Sequence, residues 1–165
     1  MKRHLCAALS AACVAAVAAA PARAQDDVAR GKYLVTIMGC GDCHTPGYFL
    51  GKPDLAHPLS GSDVGFAMPG LGIHWGPNLT PDAETGLGKW SDEQIITAFR
   101  TGVTPTGRPL IPMMPYGDFV ALTDQDARAV VAYLRSLPPV RRLVPGPTQP
   151  GEKAPAPYMA VMMPQ

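Results

Sequence analysis

The chain has 165 residues, enough for one domain with a modest core, and its charges nearly cancel, since 14 Lys and Arg face 13 Asp and Glu. Nucleic-acid binding requires a basic face, so this balance argues against nucleic acid as the partner. Beyond the first 24 residues, no segment is apolar enough to cross a bilayer.

The N-terminal segment has the pattern of a secretory signal peptide. A basic start is followed by an apolar stretch over residues 5–20, and Ala22-Arg23-Ala24 supplies the small-x-small cleavage pattern. We predict a signal peptide over residues 1–24 and export to the periplasm. A membrane anchor is the first alternative, but this apolar stretch is short for a span of ~20 residues. A lipoprotein cut before Cys13 is the second, although the residues ahead of it match such a signal poorly.

A short helix is predicted over Val28–Met38, because its apolar residues lie on or near one face. Gly31 within this helix would allow another helix to cross closely, although glycine lowers helix stability.

The two cysteines of the mature chain form a Cys-x-x-Cys-His motif, Cys40 to His44. A structural disulfide is one interpretation for an exported protein, and a thioredoxin-like pair would need a βαβ context that the surrounding sequence lacks. Zinc would need four ligands, and His44, His57 and His74 are not at the usual paired spacings. The adjacent histidine favours haem attachment, in which the thiols of Cys40 and Cys43 add to the vinyl groups and His44 lies under the iron. We predict one covalently bound haem c.

The segment that follows, residues 45–89, contains nine Gly and six Pro. That density of helix- and strand-breaking residues predicts a long loop without regular elements. Such a loop is unusual in a compact domain, but it is reasonable if the chain wraps a cofactor that supplies the core.

Two further helices have capping signals at their starts. Ser91 to Gln94 is a capping box, and Gly102 ends the helix that it opens. Thr123 caps the strongest helix, which ends at Pro138-Pro139. This last helix has an apolar stripe, formed by Ala127, Val130, Val131, Leu134 and Leu137.

Two Pro-rich segments are predicted to lack regular structure. Residues 103–120 should form a loop, and residues 141–165 should form a tail that is extended or disordered rather than a second domain.

Three helices, a haem motif at the end of the first and a Met-Pro loop before the last resemble the class I cytochrome c fold, over about residues 26–140. The motifs that carry the resemblance are Arg30-Gly31-x-Tyr33-Leu34, Cys40-x-x-Cys43-His44, Gly76-Pro77-Asn78-Leu79-Thr80-Pro81, Glu84-Thr85-Gly86-Leu87-Gly88-x-Trp90-Ser91, Arg100-Thr101-Gly102, Gly107-Arg108, Met114-Pro115 and Val131-Ala132-Tyr133-Leu134. This string is similar to the cytochrome subunits and partner cytochromes of periplasmic quinoprotein and flavin dehydrogenases. Those subunits often carry three such haem domains, whereas this chain carries one haem motif.

The resemblance implies an all-α fold with three main helices and long loops wrapped round one haem. The cytochrome domain is expected over residues 25–140, between the signal peptide and the tail. The resemblance also implies that the backbone carbonyl of Pro77 accepts a hydrogen bond from the His44 ring, that Leu79 packs on the haem face, and that the Trp90 indole reaches a haem propionate. Core packing is the alternative role for Trp90.

The second axial ligand must come from elsewhere in the chain, and a thioether is a soft ligand that favours ferrous iron. Most methionines fill gaps in a core, but Met114 lies in a stiff Pro-rich loop and matches the Met-Pro of the family. We therefore predict Met114 as the sixth ligand, with Met113 as the alternative. His57 or His74 would give a bis-histidine site of lower potential.

With both axial positions filled, the predicted role is one-electron transfer rather than catalysis. We expect a periplasmic mono-haem carrier between a dehydrogenase, as the electron donor, and a terminal oxidase or another cytochrome, as the acceptor. One alternative is a tightly bound cytochrome subunit of a dehydrogenase complex. Another is a haem peroxidase or gas sensor whose methionine dissociates.

Overall fold

A computed structural model describes residues 24–162. The predicted signal peptide, apart from Ala24, lies outside the described residues. Within residues 24–162, no helix combines the length and the apolar character that spanning a membrane requires.

The first helix, α1, covers residues 24–37 of the described chain. It therefore extends further towards the N-terminus than the predicted Val28–Met38 and ends one residue earlier. The additional residues 24–27 are exposed, so they carry no apolar periodicity that sequence analysis could detect. Leu34 and Val35 near its end are buried in the core.

Helix α1 crosses the last helix, α5 (Asp124–Ser136), at Gly31. A Cβ atom at Gly31 would lie 1.9 Å from the carbonyl oxygen of Ala129, so only a glycine permits this approach. The predicted close crossing at Gly31 is confirmed.

Capping determines the ends of the other long helices. Helix α3 (Asp92–Thr101) begins with the predicted capping box at Ser91 and ends at Gly102, whose φ of 72° is left-handed. At the start of α5, the Thr123 hydroxyl accepts a hydrogen bond from the backbone N–H of Asp126. These two helices are confirmed.

The region between α3 and α5 contains a short helix, α4 (Tyr116–Phe119). The prediction of an uninterrupted loop over residues 103–120 was therefore wrong at this point. Pro115 lies directly before the helix, where its missing N–H does not interrupt helical hydrogen bonding. Phe119 is buried and packs into the core, which explains why so short a helix forms.

The all-α prediction is only partly correct, because the structure also contains a small sheet of strand order β2-β1-β3. Strands β1 (Gly65–Met68) and β2 (Gly72–Trp75) form an antiparallel hairpin, and β3 (Tyr158–Ala160) pairs with β1 in parallel. The predicted loop over residues 45–89 thus contains a hairpin. Its Pro and Gly residues lie at the turn and the strand ends, where they do not interrupt pairing.

In the described residues, an apolar core lies among the helices and the loops on either side of the β1–β2 hairpin. Its buried members include Leu34, Val35, Leu59, Leu87, Ile95, Phe99, Phe119, Ala127, Val130, Val131 and Leu134. The apolar stripe predicted for α5 supplies four of these residues.

Candidate haem-binding site

The predicted haem-attachment motif is a five-residue helix, α2 (Cys40–His44). Gly39, at φ 66°, precedes it and separates it from α1. Cys40 and Cys43 are three residues apart, so their side chains lie on the same side of this helical turn. Both are half-buried, and no disulfide joins them. Burial raises the pKa of Cys40 to about 11 and also raises the pKa of Cys43.

His44 is buried, with 5% of its surface exposed. Its Nδ1 lies 2.8 Å from the carbonyl oxygen of Pro77. Because a carbonyl can only accept, Nδ1 carries the proton, and Nε2 keeps the lone pair that binds a metal. Burial lowers the pKa of His44, which favours the neutral imidazole.

The loop containing Pro77 lies directly against α2. A Cβ atom at Gly76 would lie 1.9 Å from the carbonyl oxygen of Cys43, so a side chain would push the loop away. The backbone N–H of Gly61 also donates to the carbonyl oxygen of His44 at 2.7 Å. The position of the histidine is thus defined from two neighbouring segments.

Leu79 and Trp90 are both half-buried and pack against the core cluster. The backbone N–H of Leu79 donates to the carbonyl oxygen of Leu59 at 2.9 Å. The carbonyl oxygen of Trp90 accepts a hydrogen bond from the Arg135 guanidinium, which also binds the carbonyl oxygen of Leu87. The haem-facing roles of Leu79 and Trp90 stay predictions.

Met114 and Met113 differ in burial. Met114 is half-buried and packs against the core, whereas Met113 is 44% exposed. A turn supports Met114, since its N–H donates to the carbonyl oxygen of Ile111 and its own carbonyl accepts from Tyr116. This contrast favours Met114 over Met113, and the assignment of the sixth ligand stays a prediction.

The two alternative histidine ligands are held by other groups. His57 is exposed, and its Nδ1 lies 2.9 Å from a carboxylate oxygen of Asp54. His74 lies in β2, where its Nε2 is 2.9 Å from the carbonyl oxygen of Leu71.

Comparison with known proteins decides the family. Residues 28–138 match the family model described as Cytochrome c. The chain belongs to the cytochrome c family. This family carries covalently bound haem c, and the donor set of the site fits it, because two thiols of one helical turn are followed by a neutral imidazole with a free Nε2.

Several subunits of dehydrogenases are similar to this cytochrome. The fructose dehydrogenase cytochrome subunit of Gluconobacter japonicus is 38% identical over 117 residues, covering 68% of this chain and 22% of the relative. The cytochrome c subunit of the quinone alcohol dehydrogenase of Gluconacetobacter polyoxogenes is 40% identical over 122 residues, covering 69% and 25%. One of the subunits of the nicotinate dehydrogenase of Pseudomonas putida is 37% identical over 120 residues, covering 70% and 9%.

The matched part of this cytochrome spans a quarter or less of the length of each of these relatives. A diheme cytochrome of Cereibacter sphaeroides is 29% identical over 116 residues. The predicted resemblance to dehydrogenase cytochrome subunits is confirmed. These relatives fit the alternative of a bound subunit better than the main expectation of a freely diffusing carrier.

Two residues around the site have hydrogen-bonding roles that their local sequence does not indicate. The Asn78 side chain, buried directly after Pro77, binds the carbonyl oxygen of Val140. The Arg135 side chain reaches backbone carbonyls 45 and 48 residues away in sequence. No local pattern could have indicated these contacts, because their partners are brought together only by the fold.

Proposed function

We propose that this cytochrome is the electron-transfer module of a dehydrogenase complex. It takes single electrons from a catalytic dehydrogenase subunit and passes them to another cytochrome or a terminal oxidase. The observation that carries the proposal is the similarity of one region to subunits of dehydrogenases named for fructose, alcohol and nicotinate. Because these dehydrogenases are named for chemically different substrates, the region that their subunits have in common has a role other than substrate recognition.

The geometry supports electron transfer at this site. Haem c, when bound, supplies a one-electron iron couple. The chain would contribute the thiols of Cys40 and Cys43 for attachment, and the buried imidazole of His44 and the thioether of Met114 would hold the iron. Leu79 and Trp90 border the same pocket in this proposal. With two side chains holding the iron, substrates would be kept from it, so this cytochrome would serve electron transfer rather than catalysis.

The proposed location is the periplasm, with one haem per chain. The single Cys-x-x-Cys-His motif of the sequence supports one haem, and the signal-peptide pattern of residues 1–24 supports export. Intact mass of the exported protein tests both, since it reports the cleavage site and the number of haem groups. Acid-acetone should leave the haem on the protein, because thioether bonds survive denaturation.

Co-purification of the affinity-tagged full-length protein tests the complex. We expect a dehydrogenase catalytic polypeptide to elute with it in a constant ratio through size exclusion at low and high salt. Adding fructose, alcohol or nicotinate in turn to the purified complex should reduce the haem with one of these substrates. A Cys43→Ala variant provides the control for haem-dependent electron transfer.

Two results would contradict the proposal. If the cytochrome elutes alone and is reduced only when a separate dehydrogenase is added, it is a free carrier. If the reduced protein binds carbon monoxide rapidly, its sixth position is open, and the peroxidase or gas-sensor alternative gains support.

A further inference from the structure

Asn78 carries a buried amide whose hydrogen-bonding capacity is fully used. The residue is 2% exposed and lies directly after Pro77. Nδ2 donates to the carbonyl oxygen of Val140 at 2.7 Å and to the Thr85 hydroxyl at 3.1 Å. Oδ1 accepts from the N–H and the hydroxyl of Thr80, at 2.9 and 2.8 Å. Since the Thr80 N–H can only donate, it determines which way the amide faces.

The same network connects two segments that are about 60 residues apart. The Thr80 hydroxyl accepts from the N–H of Val140 at 3.1 Å, and the Thr85 hydroxyl accepts from the N–H of Arg142 at 3.0 Å. The Arg142 guanidinium also pairs with Asp63. Residues 140–142 are therefore bound to the loop that begins at Pro77. We call this network, formed by Asn78, Thr80, Thr85, Val140 and Arg142, the proximal clasp.

The proximal clasp lies beside the bond that orients the predicted axial histidine. The Pro77 carbonyl that accepts from His44 Nδ1 belongs to the peptide whose nitrogen is that of Asn78. On either side of it, the carbonyl oxygen of Gly76 accepts from Ser62, and the N–H of Leu79 donates to Leu59. Movement of the Asn78 backbone would displace the Pro77 carbonyl directly.

We propose that Asn78 is a positioning residue, which holds the Pro77 carbonyl against the His44 ring by anchoring this loop to residues 140–142. This inference rests on the proposed haem-binding function. When the ring nitrogen that does not bind the metal donates a hydrogen bond to a carbonyl, the histidine becomes a more basic ligand. A more basic ligand favours ferric iron. The proximal clasp therefore lowers the midpoint potential of the haem.

Two substitutions remove different parts of the network. Asn78→Ala deletes all four bonds of the amide, and Thr80→Val deletes the hydroxyl while keeping a similar side-chain volume. Both should shift the midpoint potential upward in spectroelectrochemical titrations. Both should also speed the solvent exchange of the His44 Nδ1 proton, followed by NMR, by about tenfold, since local opening becomes easier.

Two matched variants separate positioning from stability. Thr80→Ser keeps the hydroxyl and should keep the wild-type potential and exchange rate. Thr123→Ala removes the cap of α5, lowers stability away from the proximal clasp, and should also leave both readouts unchanged.

Acid-acetone treatment of the wild-type protein is done first, because extraction of the haem there would overturn the proposed function rather than this inference. The inference is overturned if Asn78→Ala and Thr80→Val keep the wild-type potential and exchange rate. It is also overturned if both fail to assemble with haem while Thr123→Ala assembles fully, since the network would then serve folding only.

Discussion

At the scale of single residues, side chains of the same type differ in burial, as two histidines and two adjacent methionines show. His44 is buried against the Pro77 carbonyl, whereas His57 is exposed and faces Asp54. Met114 packs against the core, whereas its neighbour Met113 is 44% exposed. Since a side chain that binds haem iron must face the interior, this contrast favours His44 over His57 and Met114 over Met113.

Replacing Met114 by Ala should open the sixth coordination position. We expect loss of the sulfur-to-iron charge-transfer band of the ferric form, a lower potential, and ready binding of carbon monoxide to the ferrous form, because a soft neutral ligand that favours ferrous iron is removed. Met113→Leu is the matched control and should leave these properties nearly unchanged. The reverse pattern would assign the ligand to Met113. If neither substitution has an effect, His57 or His74 becomes the candidate for the sixth ligand.

Acid stability should depend on Asp126. Its hydrogen bond from the Arg30 guanidinium, at 2.8 Å, lowers its pKa in the folded protein. The stabilisation from this carboxylate is therefore present above its ordinary pKa and is lost as the pH falls through the lower folded value. In urea titrations between about pH 7 and about pH 2.5, Asp126→Asn should reduce the acid-induced loss of unfolding free energy.

An Arg30→Gln variant tests whether Arg30 is the cause of the lowered pKa of Asp126. Its effect and that of Asp126→Asn should be non-additive near neutral pH, because each removes the same pair. Fully additive effects would show that Asp126 is stabilised by other groups.

At the scale of secondary-structure elements, the crossing of α1 and α5 depends on one glycine. Helix propensity alone would favour alanine at Gly31 by about 1 kcal/mol. A Cβ atom there would lie 1.9 Å from the carbonyl oxygen of Ala129 and 2.8 Å from the Cβ of Tyr133. The steric effect therefore dominates, because the contact involves the backbone of the facing helix.

Gly31→Ala should lower the unfolding free energy of the haem-loaded protein by about 2 kcal/mol or more, since a tightly packed interface cannot accommodate the added methyl group. Chemical denaturation followed by far-UV circular dichroism measures this change. Gly117→Ala in α4 is the matched control, because no heavy atom beyond its chain neighbours and the backbone of its own helix lies within 4 Å of its Cβ position. It should be neutral or stabilising by up to about 1 kcal/mol. Equal effects of the two substitutions would exclude a steric role for Gly31.

At the scale of the whole molecule, the Pro-rich tail contacts the β1–β2 hairpin and, through Arg142, the loop that begins at Pro77. Thr148 exchanges two backbone hydrogen bonds with Ile73, and the Pro157 carbonyl accepts from the backbone of Gly65 and the indole of Trp75. Strand β3 extends the sheet after these contacts. Tail residues after Val144 thus stabilise the hairpin, whereas Arg142, the tail residue of the proximal clasp, lies before Val144.

A chain that ends after Val144 should keep covalent haem and a low-spin visible spectrum, because His44, Met114 and the proximal clasp remain. Its unfolding free energy should fall by roughly 1–3 kcal/mol, since several hydrogen bonds of the tail are lost, and this loss is only partly offset because the tail no longer has to be ordered on folding. Denaturant titration with visible spectroscopy measures both properties.

Trp75→Phe in the full-length protein removes only the indole bond to Pro157 and should have a smaller effect than the truncation. Loss of the low-spin spectrum in the truncated protein would show instead that the tail is needed for axial ligation.

Features with local signals could be predicted from the amino-acid order alone. The capping residues Ser91 and Thr123 predicted the starts of α3 and α5, and the spacing of Cys40, Cys43 and His44 indicated the family. Each of these signals depends on residues within a few positions of one another, where backbone geometry limits the possible arrangements.

Contacts between distant segments, in contrast, became visible only in the folded chain. The β1–β2 hairpin was missed because its Gly and Pro residues resemble breakers until strand pairing places them at a turn. The pairing of β3 with β1 and the bond from Asn78 to Val140 join segments more than 60 residues apart. Folding brings these segments together, and the polar groups that meet there, such as the buried Asn78 amide, have partners determined by packing rather than by neighbouring sequence.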